Sequence, residues 1–136
     1  MEWVDVVPKE RLIYGDYMIP GAEPTVYEEI PDMEKLTSTI NQYLADHNAD
    51  SKQPMPLVMF LDAIEHVSRV SRILRQPQGN ALLLGVGGSG RQSLTKLATY
   101  IASYNLFQVE ISKGYSVSDW RGDVRKCLLS AGLKNK

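Results

Sequence analysis

The chain has little of what secreted and membrane-spanning proteins use. It contains one cysteine, Cys127, so no disulfide can form within its 136 residues, as is typical of a reducing compartment. No apolar run approaches the roughly 20 residues that a helix needs to cross a bilayer. Glu2 and Asp5 follow Met1 where a secretory signal has a basic and then an apolar segment. We therefore expect neither a signal peptide nor a membrane partner.

The chain also has almost no net charge, −1, but this value is a cancellation. From Met1 to Glu65 there are 13 acidic and 4 basic residues, and from His66 to Lys136 there are 3 acidic and 11 basic ones. The basic half is a reason to look for an anionic partner there, although two oppositely charged halves also arise when they face each other or are simply solvated. No basic run is interleaved with aromatic residues, so nucleic acid is not expected as a partner.

Proline and glycine are concentrated in two places. Four of the seven prolines lie within residues 1–31, and five of the ten glycines lie within residues 79–90. Proline fixes φ and glycine frees it, so both clusters indicate irregular backbone. We interpret residues 1–31 as an N-terminal linker that wraps a surface, and residues 32–136 as part of an α/β domain.

Helical periodicity predicts two helices before the glycine cluster. The first is amphipathic and runs from Met33 to about Leu44, followed by a polar loop over residues 47–54. The second follows Pro56, carries one apolar stripe and ends at Pro77 and Gly79. Asp62 and Glu65 belong to its solvated face, where Glu65 and Arg69 stand four residues apart in the favourable order.

Two strands and two further helices are predicted after residue 80. Residues 81–84 read as a fully buried strand, and residues 106–111 alternate as a strand with one wetter face. One helix carries Leu94 to Ile101 and ends near Tyr104. The last carries Trp120, Val124, Cys127, Leu128 and Ala131, with Ser118 and Asp119 at its start and Gly132 at its end. Cys127 is expected in the core, and His47 and His66 have no second ligand at metal-binding spacing.

A glycine-rich loop stands between the first of these strands and its helix. Its residues are Gly85, Val86, Gly87, Gly88, Ser89, Gly90, Arg91, Gln92 and Ser93. Gly85 and Gly90 have the spacing of a P-loop, in which backbone N–H groups turn inward around phosphate. The positive end of the following helix favours the same anion. The alternative is a strand-to-helix turn that merely needs glycine.

Two positions of this loop depart from the P-loop pattern. Arg91 replaces the usual lysine; it keeps the charge, but its longer planar group need not reach the β- and γ-phosphates in the same way. Gln92 replaces the Ser or Thr that coordinates Mg²⁺, and Ser93 is one step late, about 100° further round the helix. We therefore expect the loop to hold phosphates better than it positions a metal, and the metal remains an open question.

These residues resemble the Walker A region of the fourth AAA+ module of axonemal dynein heavy chains, which characteristically has Arg-Gln-Ser here. The resemblance extends through residues 59–77 and 107–113, and residues 12–18 also fit it. It implies a P-loop NTPase fold with three α/β/α layers, and binding of ATP or ADP by Gly85 through Ser93. Pro56, Leu57 and Val58 would border the adenine, although Leu57 and Val58 are equally interpreted as plain core.

The resemblance also implies a place for the chain in a larger machine. That machine is a ring-shaped, ATP-driven microtubule motor of the cytoskeleton, located in the ciliary or flagellar axoneme. Its partners would be neighbouring AAA+ modules, intermediate and light chains, and microtubules. The family's Walker B strand, sensor residues and helical lid are not found after Ala131. We therefore expect a piece of a module that binds nucleotide without hydrolysing it. The alternative is a nucleotide-free structural or interaction element of the ring, and an independent small P-loop kinase is disfavoured.

Overall fold

A computed structural model describes residue 2 and residues 11–133. These form two compact units, which divide between Ser103 and Tyr104. In chain order the elements are β1 (Tyr14–Gly15), β2 (Glu28–Glu29), α1 (Met33–Asp50), α2 (Leu61–Arg75), α3 (Arg91–Ile101) and α4 (Val117–Leu133). Within the described residues, no helix is both long enough and apolar enough to cross a membrane.

Helix α1 confirms the first predicted helix but is longer. The carboxylate of Asp32 caps its start by accepting the backbone N–H of Lys35 at 2.9 Å. The helix continues to Asp50, so the loop predicted over residues 47–54 is wrong for its first four residues. His47 supplies a reason, because its ring meets Tyr100 of α3 edge-on, with centroids 5.2 Å apart. A polar sequence at the surface does not reveal such a tertiary contact.

Helix α2 confirms the second predicted helix and its end, but the prediction that it starts directly after Pro56 is wrong, because residues 57–60 are not helical. It begins at Leu61, and its last residue is Arg75. A Cβ at Gly79 would lie 1.9 Å from the carbonyl oxygen of Ile73, so the chain can turn back over the end of α2 only with glycine there. The predicted stop at Pro77 and Gly79 therefore has a steric cause.

The core of the first unit lies where α3 packs against α2 and α1. Small residues on the facing helices, such as Ala63, Ser71 and Ala98, are buried and allow the helices to approach closely. Larger apolar side chains surround them, with no more than 4% of their surface exposed: Leu36, Ile40, Ile64, Val67, Leu97 and Ile101.

The predicted wrapping segment 1–31 is described only at residue 2 and from Arg11 onward. In its described part β1 pairs antiparallel with β2, Tyr14 opposite Glu29. Tyr17 is 2% exposed, and its hydroxyl hydrogen-bonds Ser68 of α2. The hydroxyl of Tyr43 on α1 donates to the Tyr17 carbonyl at 2.9 Å. Burial raises the pKa of Tyr17 above its ordinary value. This segment is therefore joined to two helices by one buried and one partly buried polar contact.

Ion pairs surround these contacts at the surface. Arg11 pairs with Asp62 at 2.8 Å and with Glu65 at 3.3 Å, and Arg75 pairs with Asp16 at 3.1 Å. Arg69 also pairs with Glu65, which confirms the predicted pair along α2. The Arg11–Asp62 pair is exposed, and exposed pairs of this kind each contribute about 0–1 kcal/mol. Asp16, by contrast, is largely buried in its pair with Arg75.

Neither predicted strand after residue 80 forms. Within the described residues the only sheet is the pair β1 and β2. The prediction of a fully buried strand over residues 81–84 is wrong, because Leu82 is 85% and Leu84 is 83% exposed. Residues 106–111 are also unpaired, and Ile111 is 81% exposed. A strand needs a neighbouring strand as the hydrogen-bond partner of its backbone N–H and C=O groups. Without such pairing the expected three α/β/α layers are not seen, and the described part of the chain is mostly helical.

The second unit consists of residues 104–133 as described, with helix α4 at its end. Ser116 and Asp119 form a reciprocal cap: Asp119 accepts the Ser116 N–H at 2.8 Å, and the Ser116 hydroxyl oxygen accepts the Asp119 N–H at 3.3 Å. The helix therefore begins at Val117, one residue before the predicted Ser118. It continues through Gly132 to Leu133, so the predicted end at Gly132 is one residue early.

The prediction that Cys127 lies in the core is wrong. The residue is exposed, and no residue of α4 is buried. The apolar stripe that suggested a core position does exist, but the described residues of the second unit do not bury it. Helical spacing identifies an apolar face; it does not say which surface covers that face.

Tyr115 forms a second polar link to α4. Its hydroxyl donates to Asp123 at 2.8 Å. Desolvation, followed by this hydrogen bond and the charge of Asp123, raises the pKa of Tyr115 to about 12. The hydrogen bond stabilises the protonated, neutral form of Tyr115. The same hydrogen bond stabilises the Asp123 carboxylate and so lowers the pKa of Asp123.

Asp123→Asn is expected to lower the pKa of Tyr115 from about 12 towards the ordinary 10.0. The substitution removes the negative charge that disfavours the phenolate. Phenolate absorbance during an alkaline titration measures the effect, with Tyr115→Phe identifying the component that belongs to Tyr115. An unchanged titration in Asp123→Asn would contradict the contact.

Ile64→Ala is expected to lower the free energy of unfolding by about 2–5 kcal/mol, because the side chain is fully buried. Val58→Ala is the matched control: Val58 is 82% exposed, and its truncation should cost no more than about 0.5 kcal/mol. Urea unfolding monitored by circular dichroism measures both. Equal effects would contradict the assigned core.

Candidate functional site

The glycine-rich loop lies between residues 81–84 and α3. Gly88 and Gly90 have φ of 78° and 76°, the left-handed region that favours glycine. Gly90 is the N-cap residue of α3. The N–H of Ser89 donates to the carbonyl of Val86 at 3.3 Å and closes a tight turn. The predicted loop is thus present as a backbone structure, with its glycines at the positions that need them.

The loop is open to an approaching ligand. A Cβ at Gly87, Gly88 or Gly90 would meet no atom within 4 Å. Within the described part of the chain, the N–H groups of Gly87 and Gly88 donate to no protein acceptor. The first N–H groups of α3 lack intrahelical partners by helix geometry, and its first turn contains no acidic residue. This arrangement can accept an anion, and the shape and charge of a phosphate group fit it.

Arg91 does not extend away from the loop. Its guanidinium donates from Nη1 to the carbonyl of Leu83 and from Nη2 to the carbonyl of Val86, each at 3.3 Å. To do so the side chain crosses Gly85, where a Cβ would lie 3.4 Å from the Arg91 Cδ and 2.9 Å from the Ser89 Oγ. Gly85 therefore leaves room for two side chains of the same loop.

The two residues after Arg91 lie on the first turn of α3. Gln92 is exposed and Ser93 is half-buried. No group of three His, Cys, Asp or Glu side chains that could hold a metal ion is found among residues 11–133.

The residues predicted to border an adenine precede α2. Pro56 is exposed, Val58 is 82% exposed, and Leu57 packs partly against the core. Leu57 thus agrees with its alternative interpretation as core, whereas Val58 does not. No hydrogen bond or ion pair in the described residues joins residues 56–58 to residues 85–93.

Two features of the site escaped sequence reasoning. The carbonyl of Leu83 lies outside the predicted set and yet binds Arg91. The inward direction of Arg91 was also missed. The only signal available was the presence of arginine where lysine is usual, since a planar group with several donors can bind two carbonyls at once.

Comparison with known proteins agrees with this loop. Residues 55–136 match the family model described as P-loop containing dynein motor region D4. The chain is 51% identical over 130 residues to dynein axonemal heavy chain 1 of Homo sapiens, covering 96% of this chain. It is 50% identical over 125 residues to dynein axonemal heavy chain 3 of Mus musculus, covering 92% of this chain.

A third relative, dynein axonemal heavy chain 10 of Homo sapiens, is 42% identical over 135 residues, covering 98% of this chain. The chain spans about 3% of the length of each of these relatives. The family match covers more than half of the chain and includes the whole glycine-rich loop. The chain therefore belongs to the P-loop containing dynein motor region D4 family, and its sequence is similar to axonemal dynein heavy chains.

Proposed function

We propose that this chain is an ATP- or ADP-binding segment of an axonemal dynein heavy chain. The observation that carries the proposal is the open glycine-rich loop at the start of α3, in a chain of the dynein D4 family. The turn at Gly88 and Gly90 exposes backbone N–H groups, and the helix adds its positive end. Both favour the phosphates of a nucleotide.

The phosphates would be held by Gly85 through Ser93, mainly by the backbone. Pro56 and Val58 offer exposed apolar surface that a base could cover, and Leu57 would support them from the core. Gln92 supplies an amide where a hydroxyl is usual, and Ser93 supplies a hydroxyl one position later. Mg²⁺ would accordingly be held more by the nucleotide than by this chain.

The place of the chain in a larger protein is part of the same proposal. Its relatives are axonemal heavy chains, of which it matches about 3%. We assign it to the AAA+ ring of an ATP-driven microtubule motor in the cytoskeleton of the ciliary axoneme. Its immediate partners would be neighbouring AAA+ modules of the same heavy chain; intermediate chains, light chains and microtubules would be reached through the parent protein.

A second function is favoured by helix α4. None of its residues is buried, and Trp120, Leu128 and Leu133 are 53%, 67% and 80% exposed. Exposed apolar side chains at this density are typical of surfaces that other parts of an assembly cover. The chain would then act as a structural element of the ring whether or not its loop holds nucleotide.

Gly88→Ala should weaken binding of ADP and ATP about tenfold, because alanine at a φ of 78° strains the loop that holds the phosphates. Gly21→Ala is the matched control: Gly21 has a φ of 74°, lies between β1 and β2, and has equally open surroundings. Calorimetric titration of each full-length variant measures affinity. Absence of saturable binding to the unsubstituted chain would refute the nucleotide-binding proposal and favour the structural one.

The chain by itself is expected not to turn ATP over. A carboxylate or a glutamine side chain usually orients the attacking water. The glycine-rich loop contains no carboxylate, and its one glutamine, Gln92, stands where the motif has its metal ligand. A phosphate-release assay with ATP and Mg²⁺ should show no rate above the buffer blank. Phosphate release that Gly90→Ala abolishes would contradict this expectation.

A further inference from the structure

We propose that Arg91 is a positioning residue, whose side chain braces the glycine-rich loop from within and does not itself bind phosphate. The inference rests on the proposed function, because it concerns how the same loop would bind a nucleotide. It departs from the residue-by-residue expectation that Arg91, at the position of the P-loop lysine, is a phosphate ligand.

The hydrogen bonds of Arg91 are the first support. Nη1 and Nη2 donate to the carbonyls of Leu83 and Val86, which stand on either side of Gly85. The Val86 carbonyl also accepts the N–H of Ser89. The guanidinium and the backbone turn therefore share one acceptor, so a change at Arg91 acts directly on the turn.

The room left by Gly85 is the second support. A Cβ at Gly85 would lie 3.4 Å from Cδ and 3.5 Å from Nε of Arg91, which is van der Waals contact, so the arginine side chain lies directly against this glycine. The arginine side chain thus passes over the glycine on its way to the two carbonyls. The arginine side chain is therefore in contact with the loop backbone along its length and is not directed into solvent.

The chemistry of the side chain explains why arginine suits this role. A guanidinium is planar and presents separate donors in a fixed fork, so that it can hold two carbonyls at a set distance from each other. A lysine ammonium has one nitrogen on a flexible stem and cannot reproduce that fork. With Arg91 directed onto the carbonyls, the N–H groups of Gly87, Gly88 and the start of α3 are left to face an anion.

Arg91→Lys is the decisive variant, since it restores the residue that most P-loops use. A bracing role predicts about tenfold weaker binding of ADP, ATP and inorganic pyrophosphate alike, because the loop loses its order for every ligand. A phosphate-ligand role predicts unchanged or tighter binding. It also predicts for Arg91→Gln a loss that is greater for ATP than for ADP. Either of these results would overturn the proposal.

Lys96→Gln is the matched control, because it removes one positive charge from the same helix, five residues further on. Its affinities should stay within about twofold of those of the unsubstituted chain. Calorimetry on the full chain measures all three ligands. A loss in Lys96→Gln equal to that in Arg91→Gln would mean that positive charge on this helix, and not the position of the Arg91 side chain, determines the affinity, which would also overturn the proposal.

A measurement that needs neither a variant nor bound nucleotide separates this inference from the proposed function. Hydrogen bonds to two carbonyls slow the rotation of a guanidinium, so the Nη resonances of Arg91 should be resolved by NMR in the ligand-free chain and should not change when pyrophosphate is added. Averaged resonances that become resolved only with pyrophosphate would overturn the bracing role. Resolved resonances in a chain that binds no nucleotide would uphold the brace and refute the nucleotide site.

Discussion

The close packing of α3 on α2 is the constraint on which the candidate site depends. Helix α3 carries the glycine-rich loop at its first residue, and it is fixed by Leu97 and Ala98, both fully buried. Helix α2 presents small side chains to this contact, so the two helices can approach closely. The start of α3 therefore has a fixed direction although the loop in front of it is exposed. A flexible backbone is held at one end by a rigid support, which is how binding loops are commonly positioned.

Much of the helical structure could be predicted from the sequence, because each helix in the first unit carries a regular apolar stripe and identifiable ends. Asp32, and the pair Pro77 and Gly79, mark helix ends through local chemistry that the sequence shows directly. The extension of α1 to Asp50 could not be predicted, because it accompanies a contact between His47 and Tyr100. These two residues are 53 positions apart in the sequence. The two predicted strands failed for a related reason. An apolar run becomes a strand only beside another strand, and sequence alone does not supply that neighbour.

The candidate site likewise has features that the sequence predicts and features that only the fold determines. The glycine spacing predicted the loop, because glycine is the residue that most readily adopts positive φ and it leaves space around the backbone. The direction of Arg91 could not be predicted, because its hydrogen-bond acceptors are backbone carbonyls that come within reach only when the loop has folded. Leu83 was missed for that reason: it contributes a carbonyl, and every residue has one. Cys127 shows the opposite error, in which a true apolar stripe was assigned to a core that the described residues do not provide.

The attachment of the chain to α2 on both sides of β1 has a mechanical consequence. Arg11 holds Asp62 and Glu65 near the start of α2, while Tyr17 holds Ser68 one to two turns further along. A pull on the chain at Arg11 would load exposed ion pairs first and a buried hydroxyl contact second. The weak contacts would yield before the strong one, so tension would peel the segment away in steps. Helix α2 also packs against α3. A pulling force that is transmitted through Tyr17 to α2 would therefore act on the two packed helices that position the glycine-rich loop.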